Sequence, residues 1–317
     1  MALRQAKQQS GQSLRVLLGA IGLDQATFYR WVRREGLGQL ADSPTGKKAG
    51  ALRATPEEIA AVRRFALDNP LLGYKRLAWK LIDAQVAGLK PHQVYEILVA
   101  EELLSRREVV SGPPLKRPEP PSRPDEVWHI DLMYVRIGKR WFYLVDILDG
   151  YSRFLVHWSL NPTMTEDTVE LTTLEALERL PERREGEPKI VHDHGSQFLS
   201  KGWQGLLKAN GATSIVTRVA HPQSNGRLER LHRTHREEGA ASSAHEDYGV
   251  AVQAFEEWAT NYNWKRPHSA LNYLPPGIYY RGDPEAAMAK RTTYLEKTAA
   301  QRRRYWDEEN GSSPSTR

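Results

Sequence analysis

The sequence predicts a multidomain protein, with small all-α domains at the N-terminus followed by an α/β core built on a mixed five-stranded sheet. Three observations carry this reading. Two segments without apolar period, the Gly/Pro/Lys-rich 38–50 and the Pro-rich 111–124, interrupt the chain and read as linkers. Ahead of each, apolar residues recur at helical spacing. Beyond the second, three strand-like runs follow one another, and strands then alternate with helices. The expected divisions are 1–37, a linker at 38–50, 51–110, a linker at 111–124, a core at 125–286 and a basic extension at 287–317.

Ser13–Gly19 and Gln25–Arg34 read as two short helices about the turn Ile21-Gly22-Leu23-Asp24. Leu14, Leu17 and Leu18 share a face of the first, and Ala26, Tyr29, Trp31 and Val32 give the second its apolar spacing. This is a helix-turn-helix outline. Arg30, Arg33 and Arg34 close it and are candidates for phosphate contact, although an ordinary helical hairpin has the same pattern. In 51–110, Thr55 caps a helix that begins at Pro56, with Glu58 at capping-box spacing, and Asn69-Pro70 stops it. A second helix opens at Gly73-Tyr74-Lys75-Arg76 and a third at Lys90-Pro91. The basic turn Lys75-Arg76 suits DNA; the three helices suit a plain bundle equally.

In the core, Val127–Val135, Trp141–Ile147 and Phe154–Trp158 are strand-like and joined by short glycine-containing turns, hence antiparallel. A helix at Glu166–Leu180, a strand at Lys189–His192, a helix at Trp203–Ala209 and a strand at Thr213–Val216 follow. Helices at Asn225–Glu238 and Val250–Tyr262 complete it.

The 317 residues include no cysteine, which excludes disulfide scaffolds, thiolate nucleophiles, zinc fingers and iron–sulfur ligation and fits a reducing compartment. The net charge of +6 is spread as a basic front, a slightly acidic middle and a basic tail, a pattern suited to nucleic acid. No segment reaches membrane-spanning length and no signal-peptide pattern is present, so the expected location is the cytoplasm, at the nucleoid when bound to DNA.

Three acids stand out. Asp131 lies within the first strand, where a buried carboxylate is costly. Asp193 directly follows the fourth strand, at the end of an α/β sheet where sites form. Glu229 lies on the helix after His221-Pro222-Gln223-Ser224-Asn225-Gly226. If the first and fourth strands are neighbours, Asp131 and Asp193 meet, and a helix crossing that edge delivers Glu229. Three carboxylates repel one another unless a hard divalent cation joins them, and an all-oxygen set favours Mg²⁺ or Mn²⁺. Asp146 and Asp149, bordering the hairpin turn, read as solvated or salt-bridged acids. His192, His194 and His221 crowd the same loops, as outer support of the acids or as DNA contacts. Arg227, Arg230, Arg233 and Arg236 make a basic stripe beside Glu229, fit to neutralise phosphate, or in part a solvated face balanced by Glu237 and Glu238.

These residues carry a resemblance. Residues 125–286 resemble the catalytic core of retroviral-integrase-type transposases from insertion sequences. The first family block fits Trp128 and Asp131, with Met133 in the usual Thr position. The second fits Asp193, Gly195, Gln197 and Phe198, with His192 in place of Ser. The third fits His221, Pro222, Gln223, Ser224, Asn225, Gly226, Glu229 and Arg230, and 35 residues separate Asp193 from Glu229. Tyr262-Asn263-Trp264-Lys265-Arg266-Pro267-His268-Ser269-Ala270-Leu271, then Pro275-Pro276, resembles a fourth block.

The resemblance implies a ribonuclease-H-like core and an enzyme, a Mg-dependent DNA transposase or integrase, in which Asp131, Asp193 and Glu229 hold two Mg²⁺ ions, with Mn²⁺ able to substitute. It implies cleavage at the element's ends and direct joining of the 3′-hydroxyl to target DNA, a course that suits a site with no obvious nucleophile. The implied partners are double-stranded DNA, both the terminal inverted repeats and the target, and further copies of the chain assembled on it; a helper ATPase is a further candidate. His194, Gln197, His221 and Asn225 are candidates to contact DNA near the scissile strand, and Arg227, Arg230, Arg233, Lys265, Arg266 and His268 are candidate backbone clamps. A catalytically inert DNA-binding derivative and a simple metal-dependent nuclease are the competing readings.

Overall fold

The computed structural model describes residues 13–20, 24–36, 53–104, 120–182, 184, 186–217, 226–238 and 245–311. Both expected linkers, apart from residues 120–124, lie outside them, as do the turn at 21–23, His221 and Asn225. The chain divides into two compact units, Met1–Leu52 and Arg53–Arg317. In the first, α1 (Leu14–Ala20) and α2 (Gln25–Gly36) are the two expected helices. Leu18 is buried, while Tyr29, Trp31 and Arg33 are exposed.

The second unit opens with three helices, α3 (Pro56–Asp68), α4 (Tyr74–Asp83) and α5 (Pro91–Ala100). The capping box read from the sequence is present: Glu58 N donates to Thr55 Oγ1 (3.3 Å) and Thr55 N to Glu58 Oε2 (3.1 Å). Val62, Leu77, Leu81, Leu89 and Val94 form one apolar cluster between the helices.

The sheet comes next, with β1 (Val127–Ile137), β2 (Arg140–Asp149), β3 (Leu155–Asn161), β4 (Lys189–His192) and β5 (Thr213–Val216). Its order is β3-β2-β1-β4-β5, antiparallel from β3 to β1 and parallel from β1 to β5. This is the ribonuclease-H-like arrangement. Between the strands run α6 (Glu166–Glu178) and α7 (Lys201–Ala209); after them come α8 (Gly226–Glu237), α9 (Tyr248–Trp264), α10 (Pro276–Arg281) and α11 (Pro284–Gly311).

Alternation along β1 sets the two faces. Trp128 and Ile130 turn toward α6 and α7, with Val145, Ile147, Val169 and Trp203. Met133, Val135 and Ile137 turn the other way, toward Leu228 and Leu231 of α8 and Phe255 and Trp258 of α9. Asp131 has the parity of Met133, so it faces α8.

Two local devices position these layers. The Asn263 side chain accepts from Leu155 N (2.8 Å) and donates to Leu155 O (2.9 Å), pinning edge strand β3 to α9. Gly277 lies against Trp264 so closely that a Cβ would meet its ring at 2.3 Å. The expected basic extension is largely helix α11, and two of its arginines point inward. Arg291 grips Asp83 with two 2.6 Å bonds, and Arg302 reaches Glu58 (2.6 Å) and the Gly88 carbonyl (3.0 Å). Among the described residues no helix is long and apolar enough to cross a membrane.

Candidate active site

Asp131 and Asp193 reach adjoining strands. β4 pairs with β1 in parallel, His129 opposite Val191, and extending that register by two residues sets Asp193 beside Asp131. Burial, joined by Asp193 and Asp146 and opposed by His232 and the Leu132 amide, pushes the Asp131 carboxyl up to about 6. Asp131 Oδ1 accepts from Leu132 N (2.9 Å). Asp193 is exposed, and its Oδ1 accepts from Gly195 N (2.8 Å). A Cβ on Gly195 would lie 2.5 Å from the Gln197 amide, so the Gln197 side chain packs directly over Gly195.

Helix α8 crosses β1 because Leu228 and Leu231 are buried against it. The same spacing turns His232 and His235 to the sheet and leaves Glu229, Arg230, Arg233 and Arg236 exposed. Glu229 therefore sits one turn before His232, whose Nδ1 lies 3.9 Å from Asp131 Oδ2. Among the described residues no three such side chains close into a group able to hold a metal ion. The structure thus brings Asp131 and Asp193 together and sets Glu229 on the crossing helix, apart from them.

Under Asp131 lies a buried polar cluster that the sequence reading did not find. Asp146 stands directly opposite Asp131 in the β1–β2 register and is fully buried. Its Oδ2 meets His235 Nε2 at 3.1 Å and His232 Nε2 at 3.3 Å. Burial alone would raise the Asp146 carboxyl, but the two histidines outweigh it and hold it at about 2. The same contact raises His232 against the opposing pull of its own burial. Asp149, also fully buried, accepts from Asp125 N (2.9 Å), Ser152 N (2.7 Å) and Ser152 Oγ (2.6 Å). Neither acid is solvated, since β2 continues to Asp149 and draws both inside; of the two expected alternatives, Asp146 takes the salt-bridged one, with His232 and His235. The signal was an acid within an apolar run, Leu144-Val145-Asp146-Ile147-Leu148-Asp149.

The remaining candidates separate into surface and interior. Lys75, His194, Arg230, Arg233 and Lys265 are exposed, and Gln197 is half-buried. Arg227 turns inward, its Nη1 2.7 Å from His129 Nε2; burial first, then Arg227 and Arg153, depress that histidine to about 3. Arg266 is buried and held by both oxygens of Glu238 (2.8 and 3.0 Å), and Arg76 approaches the same carboxylate at 3.7 Å. His268 Nδ1 accepts from Ala270 N (3.3 Å), and burial with nearby arginines depresses it to about 3, so it serves as a neutral cap on a turn. His192 is buried between Phe198 and Trp203, with Nε2 2.7 Å from Ser214 Oγ.

The family described as integrase core domain matches residues 121–222, and a second family of that description matches 210–276. The chain is 33% identical to the transposase of insertion sequence element IS904 from Lactococcus lactis over 156 residues, 48% of this chain and 60% of that protein. It is 30% identical to the insertion element IS136 protein of Agrobacterium fabrum over 142 residues, 44% of this chain and 73% of that one. The chain belongs to the insertion-sequence transposase family with an integrase-type catalytic core. The chain is also 27% identical to the insertion element IS407 31.7 kDa protein of Burkholderia multivorans, over 70% of this chain and 80% of that one. Among solved structures, the HTLV-2 integrase catalytic core domain in complex with magnesium aligns with a TM-score of 0.41 at 16% identity, over 50% of this chain and 99% of that one.

Proposed function

We propose that this chain is a DNA transposase that cleaves at its element's ends and joins the freed 3′-hydroxyl to target DNA. In the first step a water oxygen, giving up a proton, forms a bond to the phosphorus at the element's end as the P–O3′ bond to the element's terminal nucleotide breaks, leaving a 3′-hydroxyl on the element and a 5′-phosphate on the flank. In the second, that hydroxyl forms a bond to a target phosphorus and the target strand's own 3′-oxygen leaves. No covalent protein intermediate is needed.

The observation that carries this reading is the register of β1 with β4, which sets Asp131 and Asp193 side by side beneath a helix bearing Glu229. Two neighbouring acids, with burial and each other's charge raising Asp131 to about 6, form an all-oxygen set whose mutual repulsion a hard divalent cation relieves. Asp131, Asp193 and Glu229 would hold two Mg²⁺ ions, with Mn²⁺ able to substitute. When bound, the ions supply charge for the attacking and leaving oxygens. Arg230, Arg233, Lys265 and Lys75 offer exposed charge to the phosphate backbone, and Gln197 stands in the Asp193 loop within reach of the strand being cut. Arg227, Arg266 and His268 shape the surface around the site from within. Residues 1–37 serve end recognition, 51–110 further DNA contact, and copies of the chain assemble on DNA at the nucleoid.

The test gives purified protein duplexes ending in the element's own flanking sequence, a plasmid target, and Mg²⁺, Mn²⁺ or chelator. Joined products that require metal are expected. Selective binding without cleavage or joining under either metal favours the inert DNA-binding reading, and cleavage without joining favours the nuclease.

A further inference from the structure

The β1–β2 hairpin outruns the helices that cover the rest of its face. Trp128 and Ile130 on that face are buried under α6 and α7, yet Tyr134, of the same parity, is 59% exposed. Tyr134 pairs with Tyr143 and Arg136 with Trp141, so these four side chains stand on one face of the two strands. Trp141 is 57% exposed. The Tyr134 ring meets Tyr143 at 5.2 Å and Trp141 at 6.4 Å, edge to face in both contacts. Behind them Val135 and Ile137 are packed into the core, so the rings stand on a fixed support. Arg136, Lys139 and Arg140 are exposed around them. Acids are present here too: Glu246, whose backbone carbonyl faces Gly138 in the turn, and Asp247, which caps α9.

Cross-strand pairing accounts for Tyr134 touching Tyr143. It does not account for two large rings left more than half exposed beside three cations. Aromatic faces with a basic rim take stacked, unpaired bases and the phosphates that join them. A second copy of the hairpin fits less well, because a two-fold contact would set the same three cations against themselves. The position also fits. β4 pairs with β1 only over Val127–His129, so beyond that point β1 borders the candidate active site and leads to the hairpin. Tyr134 is three residues past Asp131, about 10 Å along the strand and on the opposite face of the sheet, so a strand leaving the site reaches the rings by passing the edge of β1 that β4 leaves open beyond His129.

We propose that Tyr134, Trp141 and Tyr143, with Arg136, Lys139 and Arg140, form a stacking platform for unpaired nucleotides of the DNA next to the cleaved phosphate. This rests on the transposase reading, and it assigns a site for the strand that cleavage or joining leaves unpaired.

The test measures binding in chelator, with the Glu229→Gln protein, so that it reads no chemistry. Blunt duplexes are compared with duplexes carrying a short single-stranded tail that contains 2-aminopurine. Stronger binding of the tailed duplex, with the probe's fluorescence quenched, is expected. Trp141→Ala should weaken tailed binding about 10-fold, leave blunt binding unchanged, and lose the quenching. Trp141→Phe should restore most of both. Thermal unfolding of each variant checks that the exposed substitution leaves the fold intact. Equal affinity of W141A and its parent for the tailed duplex would overturn the platform, as would equal losses on both duplexes. Reduced self-association of W141A in sedimentation, with DNA binding intact, would instead make this face a contact between copies. Failure of metal-dependent joining alongside intact tail preference would count against the transposase reading and leave the platform standing.

Discussion

Asp146 and Asp149 lie three residues apart on one strand, both with no exposed surface, and they solve burial in opposite ways. An odd spacing puts them on opposite faces of the sheet. Asp149, opposite Trp128, is held by neutral donors: two backbone N–H groups and the Ser152 hydroxyl. They tie down the turn that follows, while burial still raises its carboxyl. Asp146, opposite Asp131, is held by two imidazoles that overcome burial and keep it ionised. Neutral donors suffice where a carboxylate only has to lock a turn. A charged partner is needed where the carboxylate stands under another acid, and His232, facing both, carries the connection from the interior to Asp131.

Removing Asp146 is the harshest way to break this contrast. Asp146→Ala strands two histidines in the interior and should cost about 3–5 kcal/mol in urea unfolding. Its pH signature has two arms. The Asp146 carboxyl is lower in the folded chain than its ordinary 3.8, so its contribution is complete above that value and is lost as pH falls toward about 2. His232 is raised, so its contribution is complete below its ordinary 6.5 and is lost as pH rises through its higher folded value. Asp146→Asn should flatten both arms; unchanged slopes would remove the histidines from the account.

Asp149→Ala should cost less, about 1–3 kcal/mol, since the groups it leaves unpaired are neutral. Its pH dependence has the opposite sign. The Asp149 carboxyl is raised, so the folded chain binds more protons just above pH 3.8 and wild-type stability falls as pH rises through that window. Asp149→Asn should lack this fall when the two unfolding curves are compared. Ser152→Ala sharpens the comparison further. It removes one of three neutral bonds and should cost about 1 kcal/mol, a small step beside the loss expected at Asp146.

The five strands and the antiparallel trio were legible because they follow from local pattern, while the adjacency of the first and fourth strands was only a condition that the strand order meets. Three strand-like runs with short turns force an antiparallel trio, and the β–α succession adds parallel strands beside the first. Asp131 and Asp193 stood out by their strand positions, and the parallel pairing of β1 with β4 supplies the adjacency that their meeting requires. What was hidden depends on partners distant in sequence. Asp146 reads as a turn acid until His235, 89 residues on, is packed against it. Arg266, within Lys265-Arg266-Pro267-His268, looks like a surface clamp, but Glu238 draws it inside from 28 residues upstream. Arg227 looks like part of an exposed stripe because its spacing fits one, while His129 on the crossing strand takes it inward. The tail after 287 was read by charge; its inward arginines answer to Asp83 and Glu58, more than 200 residues earlier.

In the proposed function Asp131, Asp193 and Glu229 act as one unit in phosphodiester chemistry while the basic surface holds DNA independently of them. The most direct measurement compares Asp131→Asn, Asp193→Asn and Glu229→Gln with the parent in metal-dependent cleavage and joining, and in duplex binding under chelator. The account predicts that each variant loses both reactions and binds duplex within about 3-fold of the parent, a shift well under 1.4 kcal/mol. Joined product from any one of the three, or a collapse of binding that matches the loss of chemistry, would contradict it.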